Sequence, residues 1–174
     1  RRGCPGVPPA SCGGRAAAFL SMGRPPRRFI QAAIALIERK GRYLICRRHA
    51  GRSFGGLWEF PGGKRKPGEP WTACLRRELR EELGVSVRAV RPVGTLRHRY
   101  RDRAVTFRVF RCALARGEPR PLDAQALRWV RAGELSRYRF PPANRPLLAC
   151  LRCWRGSRSR AILEAGQHST GGGG

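Results

Sequence analysis

Lysine and acid are both scarce in this chain. Only Lys40, Lys64 and Lys66 stand among 37 basic residues, and 11 acidic residues oppose them, giving a formal net charge of +26 over 174 residues. Such an excess attracts polyanions, nucleotides or nucleic acid. Arginine is spread along the whole length rather than gathered in one patch, however, which favours an arginine-rich composition as the source of the charge. No apolar run reaches the length that a membrane-spanning helix needs, and Ala16 to Leu20 is too short for a secretory core. The seven cysteines are odd in number and form no disulfide-like framework. That points away from a secreted, stapled domain and toward a reducing cytoplasm. Cys150 and Cys153 form a lone CxxC, and without a second pair nearby they do not make a zinc site. Methionine occurs once, at Met22, one candidate for the native start.

Against this scarcity of acid, four of the 11 carboxylates fall between Gly63 and Val85, in GKRKPGEPWTACLRRELREELGV. Glu78, Glu81 and Glu82 lie at i, i+3 and i+4, a spacing that places all three on one side of a helix. Like charges so close destabilise a bare helix by a few tenths of a kcal/mol per pair. A cluster of hard oxygen donors suits Mg²⁺ or Mn²⁺. Pro67-Gly68 reads as a turn and Pro70 as a favourable first-turn residue. Leu75, Leu79 and Leu83, with Cys74 beside them, supply a buried stripe, and Gly84 suits a left-handed cap. The plain alternative is a solvated helix whose acids are neutralised by Arg76, Arg77 and Arg80.

The run fits G-x5-E-x7-R-E-U-x-E-E-x-G-U throughout, with U a bulky apolar residue: Gly63, Glu69, Arg77, Glu78, Leu79, Glu81, Glu82, Gly84 and Val85 fill the sites. It resembles the Nudix box, the signature of hydrolases that use a divalent metal to cleave a nucleoside diphosphate linked to another group. The resemblance implies an α/β (α+β) Nudix fold, a mixed β-sheet sandwiched between helices. It implies Glu78, Glu81 and Glu82 as metal ligands, with Glu81 or Glu78 assisting removal of a proton from water. The carbonyl of Gly62 or Gly63 would complete the shell, and Arg77 would orient a glutamate.

Flanking segments narrow the resemblance to the MutT-type group, the 8-oxo-dGTP diphosphatases. EFPGGK (Glu59 to Lys64) leads into the box, Leu44 to Arg48 ends in two arginines, and FPPANRP (Phe140 to Pro146) is similar to the segment whose asparagine reads oxidised guanine. By this resemblance the substrate-binding set is Arg48, Glu59, Phe60, Arg103 and Asn144, and Asp123 is a further acidic metal ligand. The physics is compatible: an amide carries both donors and an acceptor for a purine edge, and a guanidinium fork suits phosphate. Ser53 departs from the pattern, standing where some of the group carry a histidine. Each residue also has a plain structural reading: Asn144 as a helix cap, Phe60 as core, Asp102 as a turn residue.

One domain is expected over residues 28–153. The extension 1–27 and the tail 154–174, rich in glycine, proline and arginine, are expected to be disordered. Strands are expected at Phe29 to Glu38, Tyr43 to Arg47, Val85 to Val90, Gly94 to Tyr100, Ala104 to Ala113 and Leu127 to Val130. A helical turn follows at Ala132 to Ser136 and a last helix at Ala143 to Cys153. The reading implied is a Mg²⁺-dependent (or Mn²⁺-dependent) pyrophosphohydrolase acting on 8-oxo-dGTP in the cytoplasm, with a small nucleotide as its primary partner, no membrane, and nucleic acid only secondary. The alternatives are a Nudix hydrolase for CTP, another nucleoside triphosphate or an RNA 5′-triphosphate, and a non-catalytic lesion-recognition domain of an adenine DNA glycosylase.

Overall fold

The computed structural model describes residues 28–153; the expectations for residues 1–27 and 154–174 fall outside them. Strand β1 (Arg28–Arg39) carries an unbroken buried run from Ala32 to Ile37. A strand apolar on both faces belongs in the middle of a sheet covered on both sides. It turns through Lys40 and Gly41, with φ of 50° and 70°, into β2 (Arg42–Arg47). Positive φ at both central residues is what a two-residue hairpin requires.

Three further strands and a short one complete a mixed sheet. β3 is Trp58–Glu59, β4 Ser86–Arg99, β5 Arg103–Arg116 and β6 Ala126–Arg131. The sheet order is β3-β2-β1-β5-β4, with β6 on β2. β1 and β5 run parallel, from Arg28 opposite Arg103 to Ile37 opposite Cys112. The remaining pairings are antiparallel. β1 and β2 touch only at their hairpin ends and then splay. Residues 58–65 fill the wedge between them. At one end Trp58 and Glu59 pair with β2. At the other, the N–H groups of Ala35 and Ala33 donate to the carbonyls of Pro61 and Gly63 at 2.8 and 2.9 Å. This wedge positions the functional residues.

Helix α1 (Trp71–Leu83) closes with Gly84 in the left-handed conformation, φ 68°; the Gly84 N–H donates to the Arg80 carbonyl and the Val85 N–H to that of Leu79. Cys74, Leu75, Leu79 and Leu83 are its buried face. They pack on Ala33, Ala35, Ile37, Phe110 and Cys112. Each fully buried leucine contributes about 1.5–3 kcal/mol. The opposite face of the sheet is covered by two 3₁₀ turns, Ala132–Arg137 and Pro142–Asn144, and by helix α2 (Arg145–Cys153). Leu135, Leu147 and Leu151 pack there on Ile34, Leu36, Val109 and Phe60. The sandwich expected from the sequence is therefore present.

Two expectations need correction. Val85 to Val90 and Gly94 to Tyr100 are not separate strands; they belong to the continuous β4, which absorbs Pro92 and Gly94 through register shifts against β5. An edge strand tolerates a proline that an inner strand could not. The last helix does not start at Ala143. Pro142–Asn144 forms a 3₁₀ turn first, a common prelude to an α-helix. Among the described residues, no helix is long and apolar enough to cross a membrane.

Candidate active site

The site is built where the 58–65 wedge meets α1. A β-carbon on Gly62 (φ 138°) would lie 2.1 Å from the carbonyl oxygen of Ala33, and one on Gly63 would lie 2.2 Å from the Glu78 carboxylate. Position 62 therefore requires glycine, since backbone of β1 fills the space, whereas a side chain at 63 would displace the Glu78 carboxylate that reaches the loop there. The Gly62 N–H donates to Glu82 Oε2 at 3.1 Å.

The acids of the box, Glu69 before α1 and three on it, have two different environments. Arg77 gathers three of them: its Nε and Nη2 donate to Glu69 at 2.8 and 2.9 Å, and its Nη1 donates to Glu78 at 2.7 Å and Glu81 at 3.1 Å. The hydrogen bonds from Arg77, then that from the Lys66 N–H, pull the Glu69 carboxyl down to about 2. Glu82 has no such partner. Burial pushes its carboxyl up to about 8 against the pull of the Gly62 N–H, and repulsion from Glu59, Glu78 and Asp123 adds to the rise.

The three box glutamates do not converge as their spacing suggested. At roughly 100° of rotation per residue, Glu81 and Glu82 diverge. Glu81 stays half-exposed beside Arg77, whereas Glu82 turns toward the wedge. Among the described residues, no three acidic, histidine or cysteine side chains lie close enough together to hold a metal as they stand. The set is nonetheless chemically suited to one. Its donors are all oxygen, and a half-buried carboxylate repelled by three others is relieved by a divalent cation.

Beside the acids lies a cavity lined by Ile30, Ile34 and Phe107 on its apolar side and by Arg48, Glu59 and Asn144 among its polar groups. Phe60 forms part of its wall, packs on Phe140 at 5.5 Å and belongs to the core. The two readings of Phe60 thus coexist. Glu59 forms an ion pair with Arg48, and Arg48 also donates to the Ser53 carbonyl at 2.8 Å. Arg103, from the hairpin tip, donates to Ser53 Oγ at 3.2 Å and lies over the Tyr100 ring. Asn144 is 5% exposed and lines the cavity; outside cysteine and tyrosine it is the one buried polar side chain among the described residues.

Arg48, Glu59, Phe60, Arg103 and Asn144 thus share one cavity, with Gly62 and Gly63 at its edge. Asp123 is placed differently. It receives a bidentate pair from Arg52, 2.9 Å at each oxygen, while still adding to the repulsion on Glu82. Several of these relations had no signal in the sequence. The two-residue β3 is too short for a period, so nothing marked Glu59 as a neighbour of Glu82. Arg52 was one arginine among many. Phe54, at φ 60°, and Tyr100 form a ring pair at 5.5 Å over the cavity mouth.

Comparisons with known proteins agree with this geometry. The family described as NUDIX domain matches residues 32–150. The CTP pyrophosphohydrolase of Escherichia coli (strain K12) is 34% identical over 131 residues, 75% of this chain and 97% of that protein. The 8-oxo-dGTP diphosphatase of the same organism is 32% identical over 124 residues, 71% of this chain and 96% of that protein. A crystal structure of a MutT NUDIX hydrolase from Burkholderia pseudomallei superposes with a TM-score of 0.64 at 27% identity, covering 70% of this chain and 96% of that one. With its complete glutamate box, its mixed sheet and these relatives, the chain belongs to the Nudix hydrolases, in the MutT-type group.

Proposed function

We propose that this hydrolase cleaves 8-oxo-dGTP to 8-oxo-dGMP and pyrophosphate with Mg²⁺, Mn²⁺ serving as a substitute. The observation that carries the base assignment is the burial of Asn144 in the cavity wall. A buried amide needs partners, and the edge of a purine offers a matching donor and acceptor. Arg48 and Arg103, on the same cavity, are suited to phosphate oxygens.

Nudix hydrolases generally use divalent metal ions. In this reading Glu78, Glu81, Glu82 and Asp123, with a carbonyl of Gly62 or Gly63, hold the ion. When bound, it activates water and neutralises phosphate charge. The chain's own residues do the rest. Arg77 fixes one oxygen of Glu78, leaving the other to accept the proton of the water that attacks the β-phosphorus. The bond from that phosphorus to the bridging oxygen breaks, and the nucleoside monophosphate leaves. The apolar wall of Ile30, Ile34 and Phe107 excludes water around the base.

The test compares kcat/KM for 8-oxo-dGTP, dGTP and CTP in the native protein and in Asn144→Ala. A bidentate base contact provides ~1–3 kcal/mol of discrimination. The expected outcome is a loss of roughly ten- to a hundredfold on 8-oxo-dGTP and much less on dGTP. A lowered melting temperature with an unchanged substrate ratio would leave Asn144 as a helix cap only. The second reading is a CTP pyrophosphohydrolase. It is favoured by the Escherichia coli relative of that name, aligned over 97% of its length. CTP as the best native substrate establishes that reading and removes the first.

A further inference from the structure

Phe54 stands in a backbone conformation that suits glycine, with φ of 60°. A bulky side chain in the left-handed region is an outlier. Glycine would fill the position free of strain, and the sequence places glycines directly after it, at Gly55 and Gly56, but not at 54. Residues held in this way persist where surrounding contacts over-determine them, and they cluster at functional sites.

The loop that carries Phe54 is closed on itself. The Gly55 N–H donates to the Arg52 carbonyl at 2.8 Å, the Gly56 N–H to that of Arg48 at 3.0 Å and the Leu57 N–H to that of Phe54 at 3.2 Å. Arg48 Nε donates to the Ser53 carbonyl at 2.8 Å. None of these bonds uses the side chain at 54, so they hold the conformation without accounting for the phenylalanine. Core packing does not account for it either, since neither buried cluster among the described residues includes Phe54 or Tyr100. The ring is half-buried and lines the active-site cavity. It meets Tyr100 at 5.5 Å with the ring planes tilted by 41°. Tyr100, just past the end of β4, is braced edge-on by His98 at 4.5 Å. Arg103 lies 5.9 and 5.1 Å from the centroids of Phe54 and Tyr100, and its hydrogen bond to Ser53 Oγ ties the loop to the hairpin tip.

We propose that Phe54, backed by Tyr100, stacks on a face of the nucleobase bound in the cavity that Asn144 lines. The proposal rests on the reading that this cavity takes the base of the substrate. An amide in the wall addresses the edge of a base and leaves its faces uncovered. An aromatic ring at the mouth covers a face, and does so for any base, because every base has a π-face. The two residues therefore divide the work: Asn144 chooses among bases, and Phe54 holds whichever base is there. Backbone strain at position 54 is the counterpart of placing a ring where the loop itself favours glycine.

The test is steady-state kinetics of the full chain with Mg²⁺ on 8-oxo-dGTP, dGTP and CTP. A stack on the base is made in the ground state and the transition state alike, so its loss raises KM and spares kcat. Phe54→Ala should raise KM about tenfold on each of these nucleotides that is hydrolysed. Phe54→Tyr, which keeps a ring, should recover most of that loss. Inorganic tripolyphosphate carries the phosphates without a base, and its inhibition constant at fixed free Mg²⁺ should stay native in Phe54→Ala. Phe54→Gly should match Phe54→Ala in KM yet melt higher, because glycine accepts this φ. An unchanged KM in Phe54→Ala overturns the proposal. An equal loss for tripolyphosphate overturns it as well, by making the ring a prop for the loop and for Arg103. A Phe54→Gly variant that melts below Phe54→Ala removes the strain that singles Phe54 out, and the proposal with it. The Asn144→Ala comparison is separate. If its substrate ratio stays native while Phe54→Ala still raises KM, the base assignment falls and the stack stands; the reverse result strikes the stack alone.

Discussion

The two ends of the acidic cluster at α1 are treated in opposite ways. At one, the guanidinium of Arg77 satisfies Glu69, Glu78 and Glu81, and Glu69 is held down to about 2 chiefly by its bonds to Arg77. At the other, Glu82 has one N–H against repulsion from three carboxylates, and burial lifts it to about 8. The same residue type is stabilised as an anion at Glu69 and strained as an anion at Glu82. Where geometry must be held, the protein supplies its own cation. Where none is supplied, the negative charge is left for an external one, as expected of a metalloenzyme's active site.

The sharpest way to break this comparison is Glu82→Gln. An amide is a poorer ligand for a hard cation, so metal-dependent turnover should fall by about a hundredfold or more. In chelator at neutral pH the same variant should melt higher than native, because folding no longer has to protonate a carboxyl that is ionised in the unfolded chain. A variant with near-native turnover, or one that melts lower in chelator, removes Glu82 from the metal set. Arg77→Gln attacks the other end. Glu69 and Glu78 lose charge-assisted hydrogen bonds, so the variant should melt lower than native. Arg77→Lys should recover little, since an ammonium cannot reproduce the fork. Both are read by denaturant melts.

The pH dependence of metal-free stability should carry opposite slopes from the two ends. Glu69 is lowered from 4.5 to about 2. Its stabilisation is present above the unfolded value and is lost as pH falls from about 4.5 through about 2. Glu82 is raised from 4.5 to about 8. The folded state then holds a proton the unfolded state has released, so stability declines as pH rises from 4.5 through about 8. Thermal melts in chelator across this range should show both limbs. Arg77→Gln should flatten the acid limb and Glu82→Gln the alkaline one; a Glu82→Gln profile identical to native contradicts the assignment.

Much of this was legible before the fold. Gly63, Glu69, Arg77, the three glutamates and Gly84 carry their meaning in spacing alone, because a loop, a helix and a cap have fixed offsets. The Leu75, Leu79 and Leu83 stripe fixed α1's orientation in the same way. What spacing could not supply was which side each acid faces once an arginine competes for it. Glu81 follows Arg77 rather than Glu82 for that reason. Nor could local pattern show that the charge of Glu59, on a two-residue strand, acts on Glu82, since that proximity depends on the wedge between β1 and β2.

The smallest expected effect tests the edge of the metal set. Arg52 and Asp123 form a bidentate pair with side chains 56% and 39% exposed. Such exposed pairs contribute about 0–1 kcal/mol, so Arg52→Gln should leave the melting temperature almost unchanged. Its informative consequence lies elsewhere. Arg52 is a resident cation on the one proposed carboxylate ligand that α1 does not carry. If Asp123 belongs to the metal site, an incoming divalent ion must displace that guanidinium, and removing it should tighten binding. The gain is bounded by the strength of the pair, about fivefold at most. Mn²⁺ titration followed by calorimetry on the native protein, Arg52→Gln and Arg52→Gln/Asp123→Asn separates the outcomes. Tighter binding in the single variant, reversed in the double, places Asp123 with Glu82. An unchanged affinity in both restricts the site to α1 and the glycine loop, and leaves the Arg52–Asp123 pair as a clasp between two loops.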